Sequence, residues 1–158
     1  FCNHLHEHKD KFVRVRDEGD KITLTFKIVP VGGAQSIDGQ KEICFKIDDF
    51  AKAVEFVKAI GCQEKAYQES KRELWQIGDT EITIDEWPYL EPLVEVEGQS
   101  EQIVKEVSAK LGFDYSQAMF CAVGKIYAQK YGLDENFINN HIAKITFEME
   151  NPFITLSK

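Results

Sequence analysis

The sequence has few cysteines, the residues that stabilise small proteins through disulfides or zinc sites. Only four of its 158 residues are cysteines, and none of them form a CxxC pair or another spacing typical of metal ligands. This scarcity argues against a disulfide framework and against a structural zinc site. We therefore expect reduced, mostly buried thiols in a cytoplasmic protein. The four cysteines are Cys2, Cys44, Cys62 and Cys121.

Long apolar runs and an excess of positive charge are also missing. No stretch of eighteen apolar residues occurs, and no basic segment followed by an apolar one precedes the domain, so neither a membrane span nor a signal peptide is predicted. Lysine and arginine number 19 against 27 acidic residues, which gives a net charge of −8. Because binding to a nucleic-acid backbone needs a basic surface, this charge excludes a general nucleic-acid binder.

What the sequence does contain is a hydrophobic content of 43%, enough for the core of one domain over residues 1–158. Residues 17–20 and 78–79 contain the glycine and aspartate typical of tight turns. Each turn lies between two segments in which apolar and polar residues alternate, which predicts two β-hairpins. Together with the helical patterns, they predict an α+β protein with antiparallel strands. The predicted strands lie at about 11–17, 21–29, 40–47, 66–77, 80–86, 92–97 and 144–150, and the predicted helices near 50–60, 101–111, 115–131 and 135–142.

Charged residues occupy alternate positions in several of these strands. Successive side chains of a strand point to opposite faces, so such charges share one face while their apolar neighbours share the other. The basic members are Arg14, Arg16, Lys27 and Arg72. The acidic members are Asp85, Glu95 and Glu97. Glu42 and Glu81 occupy alternate positions that would place them on the same face, but they could equally lie in solvent.

An enclosed charge is costly unless it is paired or coordinates a metal. A face with both signs of charge therefore suits a polyanion that is bound together with a divalent cation. Arginine bonds phosphate oxygens with a planar fork, and carboxylates at i and i+2 of a strand offer oxygens in one direction to Mg²⁺. Two simpler interpretations stay open from the residues alone: solvated glutamates on an exposed face, and ion pairs between strands.

Five segments in a fixed order carry a family resemblance: RVR, TFK, ESKRELW, EITIDEWPYLEPLVEVEG and a helix that ends in KLG. Together they resemble the CYTH superfamily, the triphosphate tunnel metalloenzymes, over roughly residues 12–112. The resemblance implies an antiparallel β-barrel that forms a tunnel with a charged lumen, with helices packed on its outside. It also implies a cytoplasmic protein, with a homodimer as one possible state.

The same resemblance implies a function. It is that of a phosphohydrolase that depends on Mg²⁺ or Mn²⁺ and acts on a small triphosphate: tripolyphosphate, thiamine triphosphate or a nucleoside triphosphate. The four basic residues would bind the triphosphate, and Asp85, Glu95 and Glu97 would hold the metal, with Glu42 and Glu81 as possible additions. The alternatives are a class IV adenylyl cyclase and a polyphosphate- or nucleotide-binding module without activity.

The sequence departs from the family pattern in two places. The family's N-terminal ExExK strand has no counterpart, and His4, His6 and His8 in HLHEH lie where we expect a loop or a frayed start. We therefore expect the family's first strand and helix to be missing from this chain. Ser70 stands where the family often has a lysine, and Lys71 is expected on the opposite face of a regular strand. No catalytic residue is assigned.

Overall fold

The computed structural model describes residues 11–28 and 41–156, and the chain divides into two compact units, Phe1–Tyr67 and Gln68–Lys158. The alternating histidines at the start and the predicted loop at 30–39 lie outside the described residues. The strands are β1 (Lys11–Asp17), β2 (Ile22–Ile28), β3 (Lys41–Ile47), β4 (Tyr67–Gln68), β5 (Lys71–Ile77), β6 (Thr80–Glu86), β7 (Leu93–Glu97) and β8 (Lys144–Ile145). The helices are α1 (Phe50–Ala59), α2 (Glu101–Lys110), α3 (Val123–Tyr131), α4 (Glu135–His141) and α5 (Pro152–Leu156).

The first unit contains the antiparallel sheet β1-β2-β3. The predicted turn between β1 and β2 places Gly19 at a φ of 85°, a conformation that favours glycine. Helix α1 packs on the apolar face of the sheet, where Val57 of the helix and Val15 of β1 are both buried. The charged residues of the three strands therefore lie on the face that α1 does not cover.

Helix α1 begins and ends where the sequence predicts. The side chain of Asp49 accepts a hydrogen bond from the amide of Lys52 at 2.9 Å, and Gly61 follows the helix with a φ of 93°. The helical spacing of Phe50, Val54, Val57 and Ile60 predicts that all four side chains face inward. This prediction is wrong for Ile60, which is the C-cap and has 49% of its surface exposed. Ala53, in the middle of the helix, is buried in the core beside Val57.

The second unit contains the antiparallel sheet β5-β6-β7. Helix α2 contacts β6 and β7, with Ser100 as its N-cap and Val107 buried beneath it. The helical spacing of residues 101–111 predicts that Ile103 and Leu111 also face inward, yet both are substantially exposed. Among the described residues this sheet has three strands, with β7 at its edge, so it offers too little surface to cover the whole apolar stripe of the helix.

Two predictions for the C-terminal part are wrong. The expected helix 115–131 is a 3₁₀ turn at Tyr115–Gln117 followed by α3, because Asp114 caps the amide of Ser116 at 2.9 Å and closes a short turn. The expected strand 144–150 is reduced to β8, since the amide of Thr146 donates to the sulfur of Met149 instead of continuing a ladder.

The core of the second unit is built on aromatic rings from its C-terminal helices. Phe153 stacks on Tyr127 and on Tyr131, with ring centroids 4.5 and 4.8 Å apart. The Tyr127 hydroxyl, fully buried, donates to the carbonyl of Pro88 at 2.7 Å. These contacts attach the loop between β6 and β7 to α3 and α5.

The α+β class with antiparallel sheets is confirmed, while the closed barrel and the single domain stay predictions. The expectation of mostly buried thiols is wrong, because Cys62 is buried but Cys44 is exposed and Cys121 is partly exposed. Cys2 lies outside the described residues. In the part of the chain that the structure describes, no helix is long and apolar enough to cross a membrane.

The buried hydroxyl of Tyr127 gives a test of the second core. Burial raises the pKa of Tyr127, so above about pH 10 the folded protein keeps a proton that the unfolded chain releases. Because the folded and unfolded states then differ by one proton at Tyr127, the free energy of unfolding falls by about 1.4 kcal/mol per pH unit. Tyr127→Phe should cost roughly 1–2 kcal/mol at neutral pH, because the Pro88 carbonyl loses its donor, and its deficit should shrink above about pH 10.

Chemical denaturation at pH 7 to 11 measures both effects. Tyr115→Phe is the matched control, because the hydroxyl of Tyr115 is 3.4 Å from Glu101 in an exposed position. The control should follow the wild-type curve at every pH. A constant deficit of Tyr127→Phe across this range would contradict the prediction.

Candidate functional site

The charged face of the first sheet brings its predicted residues together. Arg14 lies directly opposite Thr25, Arg16 opposite Thr23, and Lys27 opposite Glu42. The Lys27 ammonium and the Glu42 carboxylate are 3.3 Å apart. Glu42, which the sequence left undecided, therefore lies on the same face as the three cations.

Two polar groups in the middle of this face are buried. Thr25 is almost completely buried, and its hydroxyl donates to the sulfur of Cys44 at 3.2 Å. The Nε atom of Arg14 is also buried, and it has no hydrogen-bond partner among the described residues. Such an unpaired buried donor costs about 1–3 kcal/mol. Its position on a face rich in cations indicates that an acceptor belongs there.

Sequence reasoning missed one cation of this face. Lys46 lies directly opposite Thr23 and shares the parity of Glu42 and Cys44 in β3. The alternation of KEICFKI was the signal that could have identified it.

The charged face of the second sheet brings together basic and acidic residues. Arg72 of β5 lies opposite Asp85 of β6, and Thr83 of β6 lies opposite Glu95 of β7. Asp85 is only 2% exposed, whereas Arg72 and Glu95 reach solvent. A buried carboxylate among partly exposed neighbours needs a strong partner.

Arg72 is that partner. Its Nε donates to Oδ1 of Asp85 at 2.6 Å, and its terminal nitrogen donates both to Oδ2 of Asp85 and to Oε2 of Glu95, the latter at 2.9 Å. The hydrogen bond with Asp85 is the main cause that raises the pKa of Arg72. Cross-strand ion pairing, one of the simpler interpretations of the sequence, is therefore present in the structure.

The remaining acids repel one another. Glu81 and Glu97 lie directly opposite across β6 and β7, and both are exposed. Like charges opposite each other in neighbouring strands are destabilising. A cation would relieve this repulsion.

The carboxylate oxygens of this face are ligands of the kind that hard divalent cations bind. They do not form a cluster that would surround the cation by themselves. Among residues 11–28 and 41–156 there is no group of three or more His, Cys, Asp or Glu side chains arranged to hold a metal. Magnesium is commonly held by one or two carboxylates, with waters and substrate phosphates completing its shell. Asp85 and Glu95, which meet at one guanidinium, satisfy that requirement.

Lys71 is directed away from this face, as expected. It lies opposite Glu86, and its ammonium is 4.8 Å from the centroid of the Phe147 ring. It is thus unsuited to replace the lysine that the family often has at the position of Ser70.

Solved structures share the fold of this chain. A conserved hypothetical protein from Pyrococcus furiosus is 24% identical, with a TM-score of 0.57 over 70% of this chain and 71% of that chain. The PH1012 protein from Pyrococcus horikoshii OT3 is 17% identical, with a TM-score of 0.58 over the same shares. No curated protein matches the sequence at a significant level.

The profile of the CYTH domain matches residues 2–126, which is well over half of the chain. The matched range contains all the candidate residues of both charged faces. The chain therefore belongs to the CYTH domain family.

Proposed function

We propose that this protein is a divalent-metal-dependent phosphohydrolase that acts on inorganic or organic triphosphates. One observation carries the proposal: among the described residues two buried side-chain atoms lack a hydrogen-bond partner, and they are Nε of Arg14 and the hydroxyl of Thr83. Both lie on the charged faces of the sheets. Because buried polar atoms are otherwise satisfied in proteins, these two indicate binding groups whose partners come from a ligand. The CYTH family includes triphosphatases and cyclases and generally depends on divalent metals.

The basic residues have the chemistry to bind the triphosphate. Arg14, Arg16 and Arg72 offer planar forks to non-bridging oxygens, and Lys27 offers a compact charge. Phosphoryl transfer is accelerated mainly by positioning and by neutralising charge on the transferred group. The tunnel that the family resemblance implies would exclude water around these cations.

The acidic residues have the chemistry to hold the metal. Asp85 and Glu95 supply carboxylate oxygens, and Glu97, with Glu81 opposite it, supplies further negative charge. A bound Mg²⁺ or Mn²⁺ supplies charge neutralisation and an acidified water. The chain's own part is to hold the carboxylates in place, which the hydrogen bonds of Arg72 do for Asp85 and Glu95.

Arg72 is a basic residue that binds two of the acidic ones. Its guanidinium pairs with Asp85 and Glu95, and 43% of its side chain is exposed to solvent. Asp85 and Glu95 are also the acids that would hold the metal, so Arg72 would share them with it. We infer that the Arg72 guanidinium would then be available to a phosphate oxygen, and that metal and triphosphate binding would support each other.

Product analysis tests the proposed activity. The full chain is incubated with tripolyphosphate, thiamine triphosphate or ATP, with and without Mg²⁺ or Mn²⁺. Metal-dependent release of orthophosphate supports the proposal. Pyrophosphate with cyclic AMP from ATP would identify a cyclase, and binding without any product would identify a binding module.

The first prediction for the site concerns Arg14. Arg14→Ala should weaken tripolyphosphate binding by roughly 1.5–3 kcal/mol, because it removes a charge-assisted hydrogen bond. Titration calorimetry measures the affinity. Lys52→Ala is the matched control, since Lys52 is an exposed cation on α1 and pairs only loosely with Asp49 at 3.3 Å. Equal affinities of the two variants would remove Arg14 from the site.

The second prediction concerns the acids. Glu95→Gln and Glu97→Gln keep the side-chain size but remove a charge, so each should raise the Mg²⁺ concentration that gives half-maximal activity at least about tenfold, the effect of roughly 1.4 kcal/mol. Glu97→Gln should leave the free energy of unfolding unchanged or slightly higher, since it removes the repulsion with Glu81.

The control for these variants is Glu73→Gln, an exposed glutamate of β5 on the opposite face. Its Mg²⁺ titration should coincide with that of the wild type. If all three variants titrate alike, the acids of β7 are surface residues and not metal ligands.

A further inference from the structure

Thr83 is a buried polar residue whose role in the proposed site is not yet assigned. It lies in the middle of β6, and the strand alternation places it on the charged face between Asp85 and Glu81. On one side it faces Leu74 of β5, and on the other it faces Glu95 of β7. Its position is therefore at the centre of the acidic set.

The hydroxyl of Thr83 has no hydrogen-bond partner among the described residues, although the side chain is 97% buried (3% exposed). Burying a hydroxyl without a partner is costly, and a valine of nearly the same shape would avoid that cost. The Leu74 side chain offers no polar atom from the neighbouring strand. A threonine at this position is therefore unfavourable for the stability of the fold.

The surroundings of the hydroxyl decide which ligand it suits. Its charged neighbours on this face are the carboxylates of Asp85 and Glu81 on the same strand and of Glu95 directly opposite, together with the Arg72 guanidinium that Asp85 and Glu95 bind. The three carboxylates outnumber the one guanidinium, so an anion placed beside the hydroxyl would be repelled, whereas a hard cation would be attracted. A hydroxyl oxygen is a neutral, hard donor that adds to the coordination of such a cation without adding negative charge. The cation is thus the better occupant than a phosphate oxygen.

We propose that Thr83 supplies a neutral oxygen donor to the divalent cation, beside the carboxylates of Asp85 and Glu95. This inference rests on the proposed metal dependence of the protein and adds a residue to its site. It also accounts for a site without three clustered carboxylates, because the hydroxyl takes the place of one of them.

Metal binding without substrate tests this role on the full chain. Mn²⁺ affinity is measured by electron paramagnetic resonance, and the free energy of unfolding of each variant is measured without metal. Thr83→Val should weaken Mn²⁺ binding about tenfold or more, while stability without metal stays equal to the wild type or rises. Thr83→Ser keeps the hydroxyl and should bind Mn²⁺ within about twofold of the wild type.

Thr80→Val is the matched control. Thr80 belongs to the same strand and is equally buried, but the alternation places it on the opposite face. Its Mn²⁺ affinity should be that of the wild type. A merely structural role for Thr83 predicts the reverse pattern, with a change in stability and none in affinity.

Two outcomes would overturn the inference, and they are distinguishable. If Thr83→Val binds Mn²⁺ as tightly as the wild type while Glu95→Gln does not, Thr83 is not a donor and the proposed metal site stands. If the wild type itself binds no Mn²⁺, the metal site proposed on this face fails, and Thr83 fails with it.

Discussion

The two-residue period of the β-strand is the constraint on which the rest of this structure depends. It places Val13 and Val15 on one face of the first sheet and Arg14 and Arg16 on the other, with no further information needed. Helix α1 covers the apolar face, which frees the charged face for binding. The same rule separates Ile82 from Asp85 in the second unit. A shift of one residue in strand register would exchange the faces and bury the charges under the helices.

A charged face that is partly buried needs compensation of its charges. In the second unit the buried carboxylate of Asp85 is compensated by Arg72, whose fork also reaches Glu95. Breaking a buried pair by removing one partner is costly, since the other charge is left uncompensated. A ligand that separates Arg72 from these acids must therefore supply charge of both signs. A metal and a triphosphate together meet this requirement, whereas either alone meets half of it.

Residues beyond the family match support the loop between β6 and β7. Tyr89 in this loop has a φ of 65°, which is strained for a bulky residue and costs on the order of 1–3 kcal/mol. Its hydroxyl donates to the carbonyls of Thr146 and Met149, and its own carbonyl accepts from Tyr131. These partners follow residue 126, where the match to the family ends. The C-terminal segment thus fixes the connection between the strands that carry Asp85 and Glu95.

The sequence by itself determined the strands of the two three-stranded sheets, the caps of α1 and α2 and the membership of the charged faces, because alternation, capping and turn formation depend on residues close in the chain. The cap at Asp49 and the turn at Gly78 are examples. Only the tertiary structure decided which charges pair and which polar atoms are buried, since these depend on the neighbouring strand. Thr83 looks like an ordinary strand residue until Leu74 and Glu95 are placed beside it. Likewise, residues 118–122 continue a helical pattern in the sequence, but the cap at Asp114 closes a short turn first and α3 begins only at Val123.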